Sequence, residues 1–167
     1  MSGIAIRKAV AGDVGEVMRV FEAARRFMRR SGNMHQWVGG YPSEETVRGD
    51  IAAGHLYVGE ADCGGIVMAF AFIPGNDPTY SLIEDGTWLD DSPYGTIHRL
   101  GSDGRRGGVL AACVDFCASL TDNIRLDTHA DNAAMRAGAE RLGFRRCGVI
   151  YCQDGTPRIA YQRITRD

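Results

Sequence analysis

The segment from Thr96 to Leu120 constrains this chain more than any other. Thr96 to Leu100 reads as a strand, Gly101 to Gly108 as a glycine- and arginine-rich turn, and Val109 to about Leu120 as an apolar helix. A turn of this kind leaves free backbone N–H groups at the positive end of the helix dipole, and glycine lets an anion approach them closely. It is a device for holding phosphate. Alone, it does not say which phosphate ligand binds. Gly101, Gly104 and Gly107 are spaced G-x-x-G-x-x-G, which matches neither G-x-x-x-x-G-K-[ST] nor G-x-G-x-x-G. A nucleotide-binding protein is therefore the weaker reading of this turn.

The remaining elements alternate between helical and strand periodicity. Ile4 to Arg7 reads as a short strand, and Asp13 with Glu16 as a D-x-x-E cap opening a helix that carries Val14, Val17, Met18, Phe21 and Met28. Arg25, Arg26, Arg29 and Arg30 read as its solvated face. Ser31 to Tyr41 is a glycine-containing loop holding His35, Trp37 and Tyr41, and Pro42-Ser43 opens a second helix with Val47 and Ile51. Leu56–Glu60 and Ile66–Ile73 read as antiparallel strands around an Asp62-Cys63-Gly64-Gly65 turn. A long polar stretch, Pro74 to Pro93, follows, and loops of that length are often functional. After the phosphate turn come a strand (Asn123 to Thr128), a helix capped by Asp131 and ending at Gly143, and two strands joined by Asp154-Gly155. The order β-α-α-β-β-β-α-β-α-β-β describes one mixed α/β domain spanning residues 1–167.

Length supports that count, because 167 residues suffice for one well-formed core and fall short of two. A net charge of −2 gives no electrostatic reason to expect nucleic acid or an anionic membrane as partner. Five cysteines at irregular spacing do not form a disulfide framework. No basic stretch followed by an apolar core opens the sequence, and its longest apolar run, Ile66 to Ile73, is strand-sized, so neither a signal peptide nor a membrane span is expected. A reduced, cytoplasmic setting is expected.

The second half, most clearly Tyr94 to Tyr161, resembles the acetyl-CoA-binding core of the GNAT acetyltransferase superfamily. Arg105-Arg106-Gly107-Gly108-Val109-Leu110 stands where that family carries its Q/R-x-x-G-x-G/A pyrophosphate turn, with Leu110 in place of the final small residue. Asn132, Met135 and Leu142-Gly143-Phe144 fill the slots of its N-x-x-A and L-G-F signature. The resemblance implies a mixed, mostly antiparallel sheet of about seven strands with helices on both faces. It implies acetyl-CoA as co-substrate, no metal, and a small-molecule or peptide amine as acceptor, with a homodimer as an open option. It assigns Leu100, Gly101, Ser102, Arg105, Arg106, Gly107, Gly108, Val109, Leu110, Asn132 and Met135 to the cofactor. A non-catalytic acyl-CoA-binding module on the same fold is the alternative.

Strand alternation places Thr96, His98 and Leu100 on one side. By the resemblance, the Leu100 N–H polarises the thioester carbonyl, and His98 beside it accepts a proton from the amine. Imidazole suits that task because it titrates near neutrality; a histidine satisfied by a structural hydrogen bond is the competing reading. The family tyrosine that protonates the departing thiolate is replaced by Ala139, which leaves Tyr151 or water for that step. Asp127 and His129 suggest a carboxylate–histidine couple, and Trp37 and Tyr41 a wall of the acceptor cleft or plain packing. Glu84 and Asp85 in the long loop are weaker candidates for attracting a cationic amine.

Overall fold

A computed structural model describes residues 3–62 and 64–165; Cys63, expected in a turn, lies outside them. Seven strands form one sheet: β1 (Ile4–Lys8), β2 (Leu56–Ala61), β3 (Ile66–Pro74), β4 (Gly95–Ser102), β5 (Asn123–Thr128), β6 (Arg145–Tyr151) and β7 (Pro157–Ile164). Their order is β1-β2-β3-β4-β5-β7-β6, and every pairing is antiparallel except β4 with β5. The helices are α1 (Val14–Arg30), α2 (Glu44–Ala52), α3 (Val109–Ala118) and α4 (Ala133–Arg141).

Side-chain alternation assigns the helices to faces. Val58, Ala69 and Ala71 point toward α1 and α2, where Val17, Val20, Phe21 and Val47 are fully buried. Phe70, Ile97, Ile124 and Leu126 point the other way, toward Cys113, Val114 and Cys117 of α3 and Ala139 of α4. Burial of these apolar stripes is the main stabilising contribution. The long segment between β3 and β4 completes the α1/α2 face, where Tyr80 and Tyr94 pack on Ile150 and Ala160 of β6 and β7. Arg125 of β5 clamps it down, its guanidinium lying 4.0 Å and 3.9 Å from the Trp88 and Tyr94 ring centroids and donating to the Asp90 carbonyl at 2.8 Å.

Three local expectations are corrected. Asp13 does not cap α1 with its side chain; it accepts from the Val10 N–H at 2.8 Å and holds Arg7 in a bidentate pair at 2.8 Å and 3.0 Å. Asn132, not Asp131, caps α4, its Oδ1 accepting from the Met135 N–H at 3.2 Å. Arg29 is not simply solvated, because its guanidinium donates to the carbonyls of Asn33, Gln36 and Trp37 and so folds the α1–α2 loop.

Candidate active site

The site begins where the sheet opens. β4 and β5 pair only at Gly95–Ile124 and Thr96–Arg125 and then part, although β4 runs on to Ser102 and β5 to Thr128. Backbone hydrogen-bonding groups along the parting edges are obligatory polar groups that need partners, and a ligand bearing amides is one source. At the far end of β4 the chain turns into α3. Gly108 begins that helix in the left-handed conformation (φ 72°), with no side chain capping the first turn and no acidic residue in it. A Cβ on Gly104 or Gly107 meets nothing within 4 Å, so the turn presents an open cup at the positive end of the dipole. The cup is stiff. Asp103 accepts from the Arg105 N–H and guanidinium and from Arg19, and the Ser102 hydroxyl accepts from the Gly104 N–H. Arg105 pairs with Asp103, and Arg106 lies 3.5 Å from Asp62.

A bulge in β4 re-aims the residues beside the opening. Between the pairs Ala71–His98 and Ala69–Gly101, β3 spends one residue and β4 spends two, Arg99 and Leu100. Arg99 takes φ 55°, and its guanidinium binds both carboxylate oxygens of Asp50 at 2.9 Å and the Tyr41 hydroxyl at 3.0 Å. The alternation expected for this strand therefore fails. Leu100 packs with Ile97 on the α3 side, whereas His98 points to the α1/α2 side. Gly101 is small for packing reasons, since a Cβ there would lie 2.9 Å from Phe21 and 3.2 Å from Trp37.

His98 Nε2 lies 2.8 Å from Asp77 Oδ2. Asp77 begins a short 3-10 turn, Pro78–Tyr80, and its other oxygen accepts from the Thr79 N–H at 2.9 Å and hydroxyl at 2.7 Å. Burial works to raise the Asp77 carboxyl, but the hydrogen bonds from His98 and Thr79 outweigh it and hold the pKa down at about 2. Tyr80, in the same turn, donates to Asp127 Oδ2 at 2.7 Å, its ring 6.4 Å from that of His98. Burial and the Asp127 charge push the Tyr80 phenol well above its ordinary value, so it stays a donor.

Comparisons with solved structures decide what this arrangement is. The chain is similar to a GNAT-family acetyltransferase from Streptococcus agalactiae at 32% identity, covering 99% of this chain and 97% of that one with a TM-score of 0.88. The chain belongs to the GNAT acetyltransferase family. GNAT-family structures from Listeria monocytogenes (20% identity, 99% and 98% covered, TM-score 0.73) and Bacillus cereus (15%, 98% and 99%, 0.63) share the fold. No family model matches the chain, and no curated protein matches it in sequence. The protein is thus an acetyltransferase on the GNAT fold.

Several residues of this GNAT chain stand elsewhere than the sequence implied. Ala139, at the family's tyrosine position, is fully buried in the core under α4, and that helix carries no hydroxyl or thiol at all. Tyr151 does not replace it: it sits on edge strand β6, three strand spacings (about 14 Å) from β4. Its hydroxyl donates to Glu84 at 3.3 Å, and Asp85 pairs with Arg146. Those two loop carboxylates thus serve β6. Leu110 does not fill the phosphate cup but leans on α4, where a Cβ on Gly138 would come within 2.8 Å of it. Asp127 and His129 are not a couple, because His129 Nδ1 accepts from the Asp131 N–H at 3.0 Å. Burial lowers the His129 pKa. Trp37 is a core residue packed edge-on against Phe21, whereas Tyr41 is exposed and touches Arg99.

The sequence did not mark out Asp77, Tyr80, Arg99 or Gln36. Gln36 Oε1 accepts from Asn33 (3.0 Å), Asn132 (3.3 Å) and Thr128 (3.4 Å), joining the α1–α2 loop to the α4 cap across the open end of the sheet. Among the described residues no three His, Cys, Asp or Glu side chains gather to hold a metal, and no helix is long and apolar enough to cross a membrane. A cavity of about 490 Å³ opens at the other end of β3 and β4, lined by Lys8, His55, Tyr57, Phe72 and Leu120 among others. Its lining holds no carboxylate, and the chemistry above lies elsewhere.

Proposed function

We propose that the protein transfers the acetyl group of acetyl-CoA to a primary amine by direct attack of the amine on the thioester. The observation that carries this reading is the parting of β4 and β5 beside the uncapped, glycine-edged start of α3. The residues fit the donor. The cup formed by Gly104, Gly107 and Gly108 suits a pyrophosphate, and the edges of β4 and β5 suit the two amides of a pantetheine arm. Asn132 adds a side-chain amide at the start of α4, near Met135, once Gln36 yields it.

When bound, acetyl-CoA supplies the activated acyl group, and the chain orients and polarises it. The Leu100 N–H, inside the bulge, is the donor for the carbonyl oxygen as it gains negative charge, a contribution of roughly 3 kcal/mol in comparable sites. His98 accepts a proton from the amine, and the departing thiolate takes its proton from water. Asp127 and Tyr41 flank the side from which the amine enters. The non-catalytic alternative draws on one observation, the absence of a hydroxyl or thiol on α4 to protonate the thiolate. Turnover decides between them: release of free CoA thiol with a panel of amines supports the enzyme, and tight acetyl-CoA binding without release supports the module.

A further inference from the structure

We infer that Asp77 is a positioning residue that holds His98 in its Nε2–H tautomer, leaving Nδ1 as the atom that accepts the proton of the attacking amine. This rests on the reading of His98 as the base. The geometry comes from the hydrogen bonds of one carboxylate. Oδ1 of Asp77 is taken by two donors from Thr79, and the Asp77 N–H donates to the Tyr94 hydroxyl at 2.8 Å. Two hydrogen bonds thus fix Oδ1 and a third fixes the Asp77 backbone, with Oδ2 aimed at His98 Nε2. A carboxylate that stays ionised down to about pH 2 only accepts, so the ring nitrogen facing it carries the hydrogen. Nδ1 makes no hydrogen bond among the described residues.

The other groups around His98 do not compete for this choice. Tyr80 faces it from the same turn but donates to Asp127 on β5, and Arg99, next in sequence, is engaged by Asp50 of α2 and by Tyr41. In the reaction, an N–H bond of the amine breaks and Nδ1–H forms, while the amine nitrogen bonds the acyl carbon and the C–S bond releases the thiolate. The imidazolium so formed keeps its Nε2–H on Asp77 and returns the Nδ1 proton to water.

Asp77→Asn is the discriminating variant. Its Oδ1 still serves both Thr79 donors, so the turn is retained, but an amide N–H₂ now faces Nε2 and demands an acceptor there. The ring is driven into the Nδ1–H tautomer, which cannot take the proton. Long-range ¹H–¹⁵N spectra at pH about 8, with the His98 signals assigned by their loss in His98→Gln, read the tautomer without any turnover. The expected result is Nε2–H in the wild type, Nδ1–H in Asp77→Asn, and kcat/KM for the amine lower by about a hundredfold with KM for acetyl-CoA unchanged. Asp77→Glu, which keeps an acceptor, should recover part of the loss. The same tautomer in wild type and Asp77→Asn overturns the inference. A tautomer that switches with no change in rate overturns instead the reading of His98 as the base.

Discussion

His98 and Asp127 stand at equivalent positions on two parting strands, each two residues beyond the last pair, Thr96–Arg125. Both point to the α1/α2 face, and Tyr80 spans between them, ring beside His98 and hydroxyl on Asp127. Proton-accepting groups thus flank the opening at one level, held by a single turn from the β3–β4 segment. That turn depends on Asp77.

The ionisation of Asp77 therefore links the site to acid stability. Its folded pKa of about 2 lies below the ordinary 3.8, so it stabilises the protein above pH 3.8 and loses that contribution as pH falls toward 2. The shift corresponds to about 2 kcal/mol. In urea unfolding, the stability difference between wild type and Asp77→Asn should shrink by that amount on going from pH 5 to pH 2. A difference independent of pH contradicts the assignment.

Gly107 separates anion binding from folding. Its φ is ordinary and open space surrounds it, whereas Gly108 at φ 72° would strain with any side chain. In Gly107→Asp, a carboxylate near the start of α3 favours the helix dipole but opposes a pyrophosphate. Unfolding temperature should hold or rise while acetyl-CoA affinity falls at least about tenfold, a penalty of roughly 1.4 kcal/mol. Calorimetric titration of both proteins provides the check, and equal affinities would remove the cup from the donor site.

Arg99 and Asp50 hold the bulge shut from the α2 side, with both side chains largely withdrawn from water. Removing one partner of such a pair leaves an uncompensated charge, at a cost of about 3 kcal/mol. Asp50→Ala should lose that much stability in denaturant titration and also lower kcat, because the bulge aims both the Leu100 N–H and His98. Undiminished stability would show the pair to be incidental.

Restoring the family tyrosine should fail here. Ala139 is fully buried among Phe70, Val114 and Phe144 in the core, so Ala139→Tyr overpacks it, with an expected loss of about 3 kcal/mol and no gain in rate. Faster turnover in that variant would contradict the placement.

Much of this fold was legible in the sequence because its signals are local: apolar periodicity in α1, the glycine turn before α3, and Gly143 after α4. Strand β4 was harder. One extra residue at Arg99–Leu100 reverses the alternation and separates His98 from Leu100, and no residue type there announces a bulge. Asp77 and Tyr80 were invisible for another reason. They lie in a long polar segment, where function depends on which strand the loop packs against, and Arg125, buried in β5, makes that contact. Tyr151 was misplaced because its relation to the site depends on strand order, and adjacent sequence says nothing about β7 lying between β5 and β6.

The central claim is that His98 takes the proton of an amine attacking acetyl-CoA. It is tested most directly by steady-state release of free CoA thiol, with one confirmed amine, comparing wild type with His98→Gln. The expected result is kcat/KM for the amine lower by about a hundredfold, with KM for acetyl-CoA unchanged. Equal rates in the two proteins would contradict it and make His98 a structural partner of Asp77.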